Sequence, residues 1–357
     1  MITGEIELVS VPHRGTVAAM AAAAPVASTA RSPWWRRGAM LVGAAGLVAL
    51  SRSLPRTDWL ALIARVGPIF PLLCGVAIAL ISLYARGLRV IVGGVVGWGR
   101  LTYNRFVGEA YNVVMPLGDI GGDPLRVMDL AGQVGTARAV RAIVLDRLTY
   151  ATSGLIFSAS SSLVAVRAFA SWDTRLQHLL VGYSSVALLA ALVVFLLATR
   201  PEAGRWVVHL LHMARIELPE LPSPLPIRSF ARALGWNLLG RAGVLVEVGL
   251  LLLALGQPVR LAAIVAIGAL LSVTGMVFFF VPNGIGVNEG AAVFALKLTG
   301  YDEALGLTIG LTRRVRQLTL AAAGVLLSGL WHRGPARSVQ RAGIEEEPAP
   351  APIGPIR

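Results

Sequence analysis

Long apolar runs are the feature of this sequence that most limits its fold. Seven runs reach the length that a helix needs to cross about 30 Å of hydrocarbon. They occupy residues 38–54, 67–85, 148–166, 176–199, 232–256, 260–281 and 311–331. Only 14% of the 357 residues are charged and the mean hydropathy is +0.70, whereas soluble domains are about one quarter charged. These values exclude an ordinary soluble enzyme and predict an all-α polytopic membrane protein.

The charge and the reactive side chains exclude several further classes of protein. The net charge is +13, but the basic residues are spread between the apolar runs instead of forming one basic domain. We therefore expect membrane loops and no nucleic acid partner. The single cysteine, Cys74, cannot form a disulfide or a cysteine metal site within the chain. There is no phosphate-binding loop for ATP, and we expect no cofactor and no metal.

Polar segments divide the chain into three parts. Residues 1–37 are predicted to form a disordered cytoplasmic tail, and residues 333–357 a second disordered tail. The segment between them, 38–332, is predicted to be one transmembrane domain. Its longest polar connection, 200–230, combines an amphipathic stretch with a proline-rich loop, which indicates a segment lying at the membrane interface.

Two stretches contain helix-breaking residues at membrane depth. They read FVGEAYNVVMPLGDIGGDPLR at 106–126 and FFFVPNGIGVNEG at 278–290. Proline removes a backbone donor and glycine frees the backbone, and free backbone groups are tolerated in a bilayer only where they line a cavity. We therefore predict broken or re-entrant helices, with aqueous loops as the alternative. The predicted turn residues are Pro116, Gly118, Gly122, Pro282, Gly284, Gly286 and Gly290.

The two broken stretches align with each other. Adding 166 to the residue number carries Pro116 to Pro282, Gly118 to Gly284, Asp123 to Glu289 and Arg147 to Arg313 without a gap. This register predicts an internal repeat of about 100 residues, near 67–166 and 233–332. Because a single span at 176–199 links the copies, the second copy is predicted to be inverted in the membrane.

Ionisable residues inside the apolar region indicate a polar site. A charge at the bilayer centre costs at least about 2.5 kcal/mol, so such residues usually pair and face a cavity. Half-helices that begin near Asp123 and Glu289 would present free N–H groups suited to phosphate, and Arg126, Arg147 and Arg313 would add bidentate donors. These five residues are the predicted substrate-binding set. The alternatives are structural ion pairs for the charges and helix capping for the acids.

The motifs MPLGDIGGDPLRV, VLDRL and VPNGIGVNEG, together with YARGLRVIVG, carry a family resemblance. Over residues 38–332 the chain resembles the flippase-like membrane family related to the membrane half of lysylphosphatidylglycerol synthases. Asn288, at a position where the family often has arginine, joins the predicted substrate-binding set. The resemblance implies translocation of a lipid between leaflets, the cargo being aminoacylated phosphatidylglycerol, a polyprenyl-linked lipid, a glycolipid or a hopanoid.

Three functional hypotheses follow from the sequence. The first is an inner-membrane, multi-pass protein of bacteria that translocates an anionic or polyprenyl-type lipid and is not an enzyme, since the soluble aminoacyl-transfer domain is not recognised here. The second is a membrane-embedded enzyme that modifies a lipid headgroup with the same acids. The third is a non-catalytic partner of a lipid-synthesising enzyme or glycosyltransferase, docked through residues 200–230.

Overall fold

The computed structural model describes residues 59–115, 121–200, 224–278, 281 and 284–332. Both predicted tails, the predicted first span at 38–54 and most of the connection at 200–230 lie outside these residues. The predicted turn residues Pro116, Gly118 and Pro282 lie outside them as well.

The described chain is helical throughout, which confirms the predicted class for these residues. A 3-10 turn at Gly67–Ile69 joins the first two α-helices. The α-helices are α1 (Trp59–Val66), α2 (Phe70–Ile91), α3 (Trp98–Val114), α4 (Asp123–Val134), α5 (Thr136–Ala168), α6 (Thr174–Thr199), α7 (Ile227–Ala254), α8 (Leu261–Val277), α9 (Val287–Leu298) and α10 (Glu303–His332).

Four helical segments of the described chain are long and apolar enough to cross a membrane: Ala64–Ile91, α5, α6 and α7. The predicted spans at 67–85, 148–166, 176–199 and 232–256 fall on them, so a multi-pass membrane protein is confirmed. Helix α8 is apolar but has 17 residues, a length of about 25 Å. Helix α10 is 30 residues long but carries arginines in its first half, which separates it from the apolar spans.

Two series of four helices follow the same order of lengths. The first helix series, α2–α5, has helices of 22, 17, 12 and 33 residues, and the second helix series, α7–α10, has helices of 28, 17, 12 and 30 residues. Helix α6 links the two. Helix α4 begins at Asp123, and α9 begins two residues before Glu289. A helix therefore begins near each of the two predicted acids, and both acids lie in the first turn of a short helix.

Small residues allow the two helix series to pack closely. A side chain at Gly87 of α2 would meet the Ala233 carbonyl oxygen of α7 at 3.2 Å. On the other side of the bundle, the Tyr111 hydroxyl of α3 lies 3.1 Å from the Ser328 hydroxyl of α10. Helix α6 packs on α5 and leaves apolar side chains such as Leu189 exposed, as expected for a lipid-facing helix.

Candidate functional site

A cavity of about 530 Å³ lies between the two helix series. Its walls come from α2, α3 and α5 of the first series and from all four helices of the second. Apolar side chains form part of the lining, as in most ligand pockets. The charged lining residues are Glu109, Arg241, Glu247, Glu289, Arg313, Arg314 and Arg316.

Glu289 connects the first turn of α9 to α10. Its carboxylate accepts a hydrogen bond from the Arg314 Nε at 2.9 Å and another from the Gly286 backbone N–H at 2.8 Å. The second bond caps the helix, because it satisfies an N–H that has no partner within α9. The Glu289 side chain is only 1% exposed. The acid therefore has the capping role that the sequence left open, and it also forms an ion pair at the cavity wall.

Glu247 of α7 is shared by two arginines of α10. Its Oε1 accepts from the Arg316 Nη1 at 2.9 Å and from the Arg313 Nε at 3.3 Å. Glu247 is almost fully buried, whereas Arg313 and Arg316 remain 24% and 15% exposed. One carboxylate thus pairs with two guanidinium groups, and both of these line the cavity.

Arg241 of α7 is held by neutral groups of α5. Its Nε donates to the Ser153 hydroxyl at 2.9 Å and its Nη2 donates to the Tyr150 carbonyl at 3.0 Å. The guanidinium carbon also lies 4.2 Å from the centre of the Tyr150 ring, a cation–π distance. Among the described residues, no carboxylate forms an ion pair with Arg241. These contacts hold the Arg241 guanidinium group at the cavity wall, and none of them neutralises its positive charge.

Glu109 joins the cavity to a buried ionic network in the first helix series. Its Oε1 accepts from the Arg105 Nε at 3.0 Å, one helical turn earlier on α3. Arg105 is fully buried and stacks on the Tyr84 and Tyr150 rings at 5.3 and 4.8 Å. Because Tyr150 also contacts Arg241, the two guanidinium groups lie around the same ring. Glu109 is the member of the network that lines the cavity.

The rest of the network lies inside the protein. Asp146 of α5, which is fully buried, accepts from Arg105 at 2.6 Å and from Arg126 at 2.7 Å. Asp123 accepts from Arg126 at 3.2 Å and receives a bidentate pair of bonds from Arg147 at 2.6 and 2.7 Å. Two parallel bonds of this kind fix orientation as well as charge. The network therefore ties α3, α4 and α5 together.

The predicted substrate-binding residues fall into two groups. Asn288, Glu289 and Arg313 line the cavity. Asp123, Arg126 and Arg147 do not; they bond to one another inside the first helix series. The role of these three residues in substrate binding stays a prediction. Their contacts are structural ion pairs, which was the alternative that the sequence left open.

The predicted turn glycines also differ in their surroundings. Gly284 and Gly286 have φ values of +58° and +78°, in the left-handed region that favours glycine. Gly122 packs against the backbone of α3, where an added side-chain carbon would lie 2.6 Å from the Gly108 carbonyl carbon. Gly290 lies inside the first turn of α9, and nothing would meet its side chain within 4 Å.

Sequence reasoning did not assign five of the charged cavity residues to the site: Glu109, Arg241, Glu247, Arg314 and Arg316. A signal for them was present, because all five lie within or beside apolar runs. The spacing of Arg241 and Glu247, six residues apart on one helix, already indicates that their partners lie on other helices. The structure confirms this, since the partners are on α5 and α10.

The cavity has the chemistry of an anion site. Guanidinium groups from α7 and α10 present several N–H donors, and the apolar lining lowers the local dielectric constant, which strengthens their attraction for a phosphate. Within the described residues, no cluster of three histidine, cysteine, aspartate or glutamate side chains is arranged to hold a metal ion.

Comparison with known proteins identifies a family that covers most of the chain. The family described as "Lysylphosphatidylglycerol synthase TM region" matches residues 20–324. This confirms the resemblance inferred from the glycine- and proline-containing motifs. Neither the curated proteins nor the solved structures gave a match to the chain.

Proposed function

Because this chain belongs to the family of lysylphosphatidylglycerol synthase transmembrane regions, we propose that it moves an anionic or polyprenyl-type lipid between the two leaflets of the bacterial inner membrane. The family already indicates a membrane protein related to lipid metabolism. In this proposal the lipid is the ligand, it leaves chemically unchanged, and the protein acts as a transporter instead of an enzyme.

The single observation that carries the proposal is the charged cavity between the two helix series. Four guanidinium groups line it, from Arg241, Arg313, Arg314 and Arg316. Placing such groups in a bilayer is costly unless they face water or a ligand of opposite charge. A lipid phosphate supplies that charge while its acyl chains stay beside the apolar outer faces of the helices.

The paired helix series supports a route across the bilayer. We propose that the two series are inverted repeats, with α4 and α9 as the short arms of broken or re-entrant helices. The matching helix lengths and the matched acids Asp123 and Glu289 support this arrangement. Inverted repeats around a shared site give two related conformations, each open to one side of the membrane.

Transport predicts relocation of a lipid without a chemical change. The test is reconstitution of the full-length chain into vesicles that contain a fluorescent phosphatidylglycerol or, in a second set, a fluorescent polyprenyl phosphate, with an impermeant reductant added outside. We expect the inner-leaflet fraction of at least one of these lipids to become accessible to the reductant in protein-containing vesicles and to remain protected in protein-free vesicles. Equal protection of both lipids with and without the protein would contradict the proposal.

The enzyme hypothesis gives a different result in the same vesicles. Mass spectrometry of the extracted lipids would then show a new headgroup species that forms with time. We expect an unchanged lipid spectrum alongside the change in accessibility. A lipid-synthesising or glycosyltransferase partner would act before or after this step, as the source or the consumer of the translocated lipid.

A further inference from the structure

The connected ionic network of the first helix series is balanced in charge. Three arginines and three carboxylates belong to the connected network: Arg105, Arg126, Arg147, Glu109, Asp123 and Asp146. Each carboxylate accepts at least one hydrogen bond from a guanidinium group at 3.2 Å or less, so each belongs to an ion pair. The neighbouring pair Arg100–Asp129 is also neutral as a pair. Glu109, the charged residue that this series contributes to the cavity lining, therefore belongs to a network without excess charge.

The second helix series is not balanced. Four arginines line the cavity from this series, and only two carboxylates, Glu247 and Glu289, accompany them. Both carboxylates form ion pairs with these guanidinium groups. Four positive charges against two negative ones leave an excess of two among the described residues. Arg241 contributes one excess charge, and Arg313 and Arg316, which share Glu247, contribute the other.

The arginines that carry the excess positive charge line the cavity and are available to an anionic ligand. Arg241 is oriented by Ser153 and Tyr150 without a carboxylate. The Nε of Arg316 is buried and has no hydrogen-bond partner among the described residues. Uncompensated charge and unsatisfied donors are costly in a low-dielectric interior, and a ligand that neutralises both removes that cost.

We infer that the headgroup taken up by this cavity carries a dianionic phosphate, that is, a phosphomonoester or a diphosphate at the end of a lipid, held by Arg241, Arg313 and Arg316. A phosphodiester such as that of phosphatidylglycerol brings one negative charge and leaves one guanidinium uncompensated. A terminal phosphate or diphosphate brings at least two and also presents more acceptor oxygens to the guanidinium groups. This inference rests on the proposed function and narrows its ligand class.

Three farnesyl probes with the same tail test the inference. Farnesyl diphosphate, farnesyl monophosphate and methyl farnesyl phosphate differ in the number of negative charges, and the last is a monoanionic phosphodiester. Calorimetric titration of the detergent-purified full-length chain at pH 8 gives the three dissociation constants. We expect the monophosphate and the diphosphate, which each carry at least two negative charges at pH 8, to bind about tenfold or more tightly than the phosphodiester, as one additional charge-assisted interaction implies.

The monophosphate provides a control within one molecule. The second pKa of a phosphomonoester is about 6, so the probe is a dianion at pH 8 and a monoanion at pH 5. We expect its affinity to fall toward that of methyl farnesyl phosphate between these two values. The phosphodiester keeps its charge over this range, so its titration records any change in the protein itself.

Two substitutions assign the preference to residues. Arg241→Gln and Arg316→Gln should each lower the ratio of the diphosphate affinity to the phosphodiester affinity to about one third or less, because each removes one positive charge. Arg241→Lys, which keeps the charge, should retain most of the ratio. Arg260→Gln is the matched control, since Arg260 is exposed and contacts Tyr301 and the Thr299 carbonyl outside the cavity.

The outcomes are distinct from those for transport itself. Equal affinity of the wild-type chain for all three probes would overturn the inference, and lipid transfer in vesicles would then still support the proposed function. Inorganic pyrophosphate that binds as tightly as farnesyl diphosphate would also overturn it, since the site would then recognise a free phosphate and not a lipid. A ratio unaffected by the glutamine substitutions would place the preference elsewhere and contradict the assignment.

Discussion

Arg314 of α10 donates a hydrogen bond to Glu289 in the first turn of α9 across 2.9 Å. The pair repeats an arrangement in the first helix series, where Arg147 of α5 binds Asp123 in the first turn of α4. The two partners are 25 residues apart in one series and 24 in the other. In each series an ion pair therefore fixes the start of a 12-residue helix against the long helix that follows it.

Loss of the central carboxylate should destabilise the first helix series. Asp146→Asn leaves Arg105 and Arg126 buried without their shared negative charge, and breaking a buried pair costs about 3–5 kcal/mol. We expect the midpoint of thermal unfolding, measured in detergent by tryptophan fluorescence, to be markedly lower than in the wild-type chain.

Asp129→Asn is the control. Asp129 pairs with Arg100, which is 31% exposed, so solvent screening limits the loss to about 1 kcal/mol. Equal losses for the two variants would contradict the account.

Close packing at the start of α4 leaves no room for a side chain. In Gly122→Ala, the new methyl group would lie 2.6 Å from the Gly108 carbonyl carbon and 2.8 Å from its Cα, so backbone must move. We expect a loss of about 1–3 kcal/mol in the free energy of unfolding. Gly132→Ala in the same helix meets nothing within 4 Å and should be neutral or slightly stabilising. A neutral Gly122→Ala would show that α3 and α4 are not in contact as described.

The turn before α9 requires glycine at one position and tolerates alanine at another. Gly286 has a φ of +78°, which disfavours an L-side chain by about 1 kcal/mol. Gly290 lies in the helix with open space around it, so alanine fits there. We expect Gly286→Ala to lower the unfolding midpoint and Gly290→Ala to leave it unchanged or raise it. The reverse order would contradict the helix start at Val287.

Thiol labelling distinguishes the cavity from the lipid-facing surface. In a chain whose only native thiol has been removed by Cys74→Ala, Ser272→Cys places a thiol at the cavity and Leu189→Cys places one on the exposed face of α6. We expect charged methanethiosulfonate reagents to modify the first thiol and not the second in lipid vesicles. The anionic reagent should react several-fold faster than the cationic one, because the lining carries excess positive charge. Labelling at Leu189→Cys alone would contradict the assignment of these surfaces.

The sequence predicted four of the spans, because length and hydropathy alone determine them, whereas the runs predicted at 260–281 and 311–331 fall on α8 and α10, which are not among the four candidate spans. The span predicted at 176–199 is α6, and those predicted at 67–85 and 232–256 lie on α2 and α7. The span predicted at 148–166 is too short, since α5 begins at Thr136. The extension carries Asp146 and Arg147, whose burial depends on partners and not on hydropathy.

The partners of the buried charges could not be predicted, because they are set by how helices approach in three dimensions. Arg105 and Asp146 are 41 residues apart, and Arg313 and Glu247 are 66 apart. The repeat register pairs Arg147 with Arg313, yet Arg147 binds the acid of its short helix whereas Arg313 binds Glu247 of α7. Arg314, the next residue, takes the place of Arg147. Helix packing, and not the repeat register, therefore determines that Arg313 lines the cavity and Arg147 does not.

The rate of lipid transfer by cavity variants tests the central claim most directly. The accessibility of fluorescent phosphatidic acid, a lipid that ends in a phosphomonoester, is measured at pH 8 in vesicles that contain equal amounts of folded wild-type chain, of the double variant Arg313→Gln plus Arg316→Gln, and of Arg260→Gln, with folding checked by the unfolding midpoint. We expect the double variant to transfer this lipid at least about tenfold more slowly than wild type and Arg260→Gln to transfer it at the wild-type rate. Transfer by the folded double variant at the wild-type rate would contradict passage of the headgroup through this cavity.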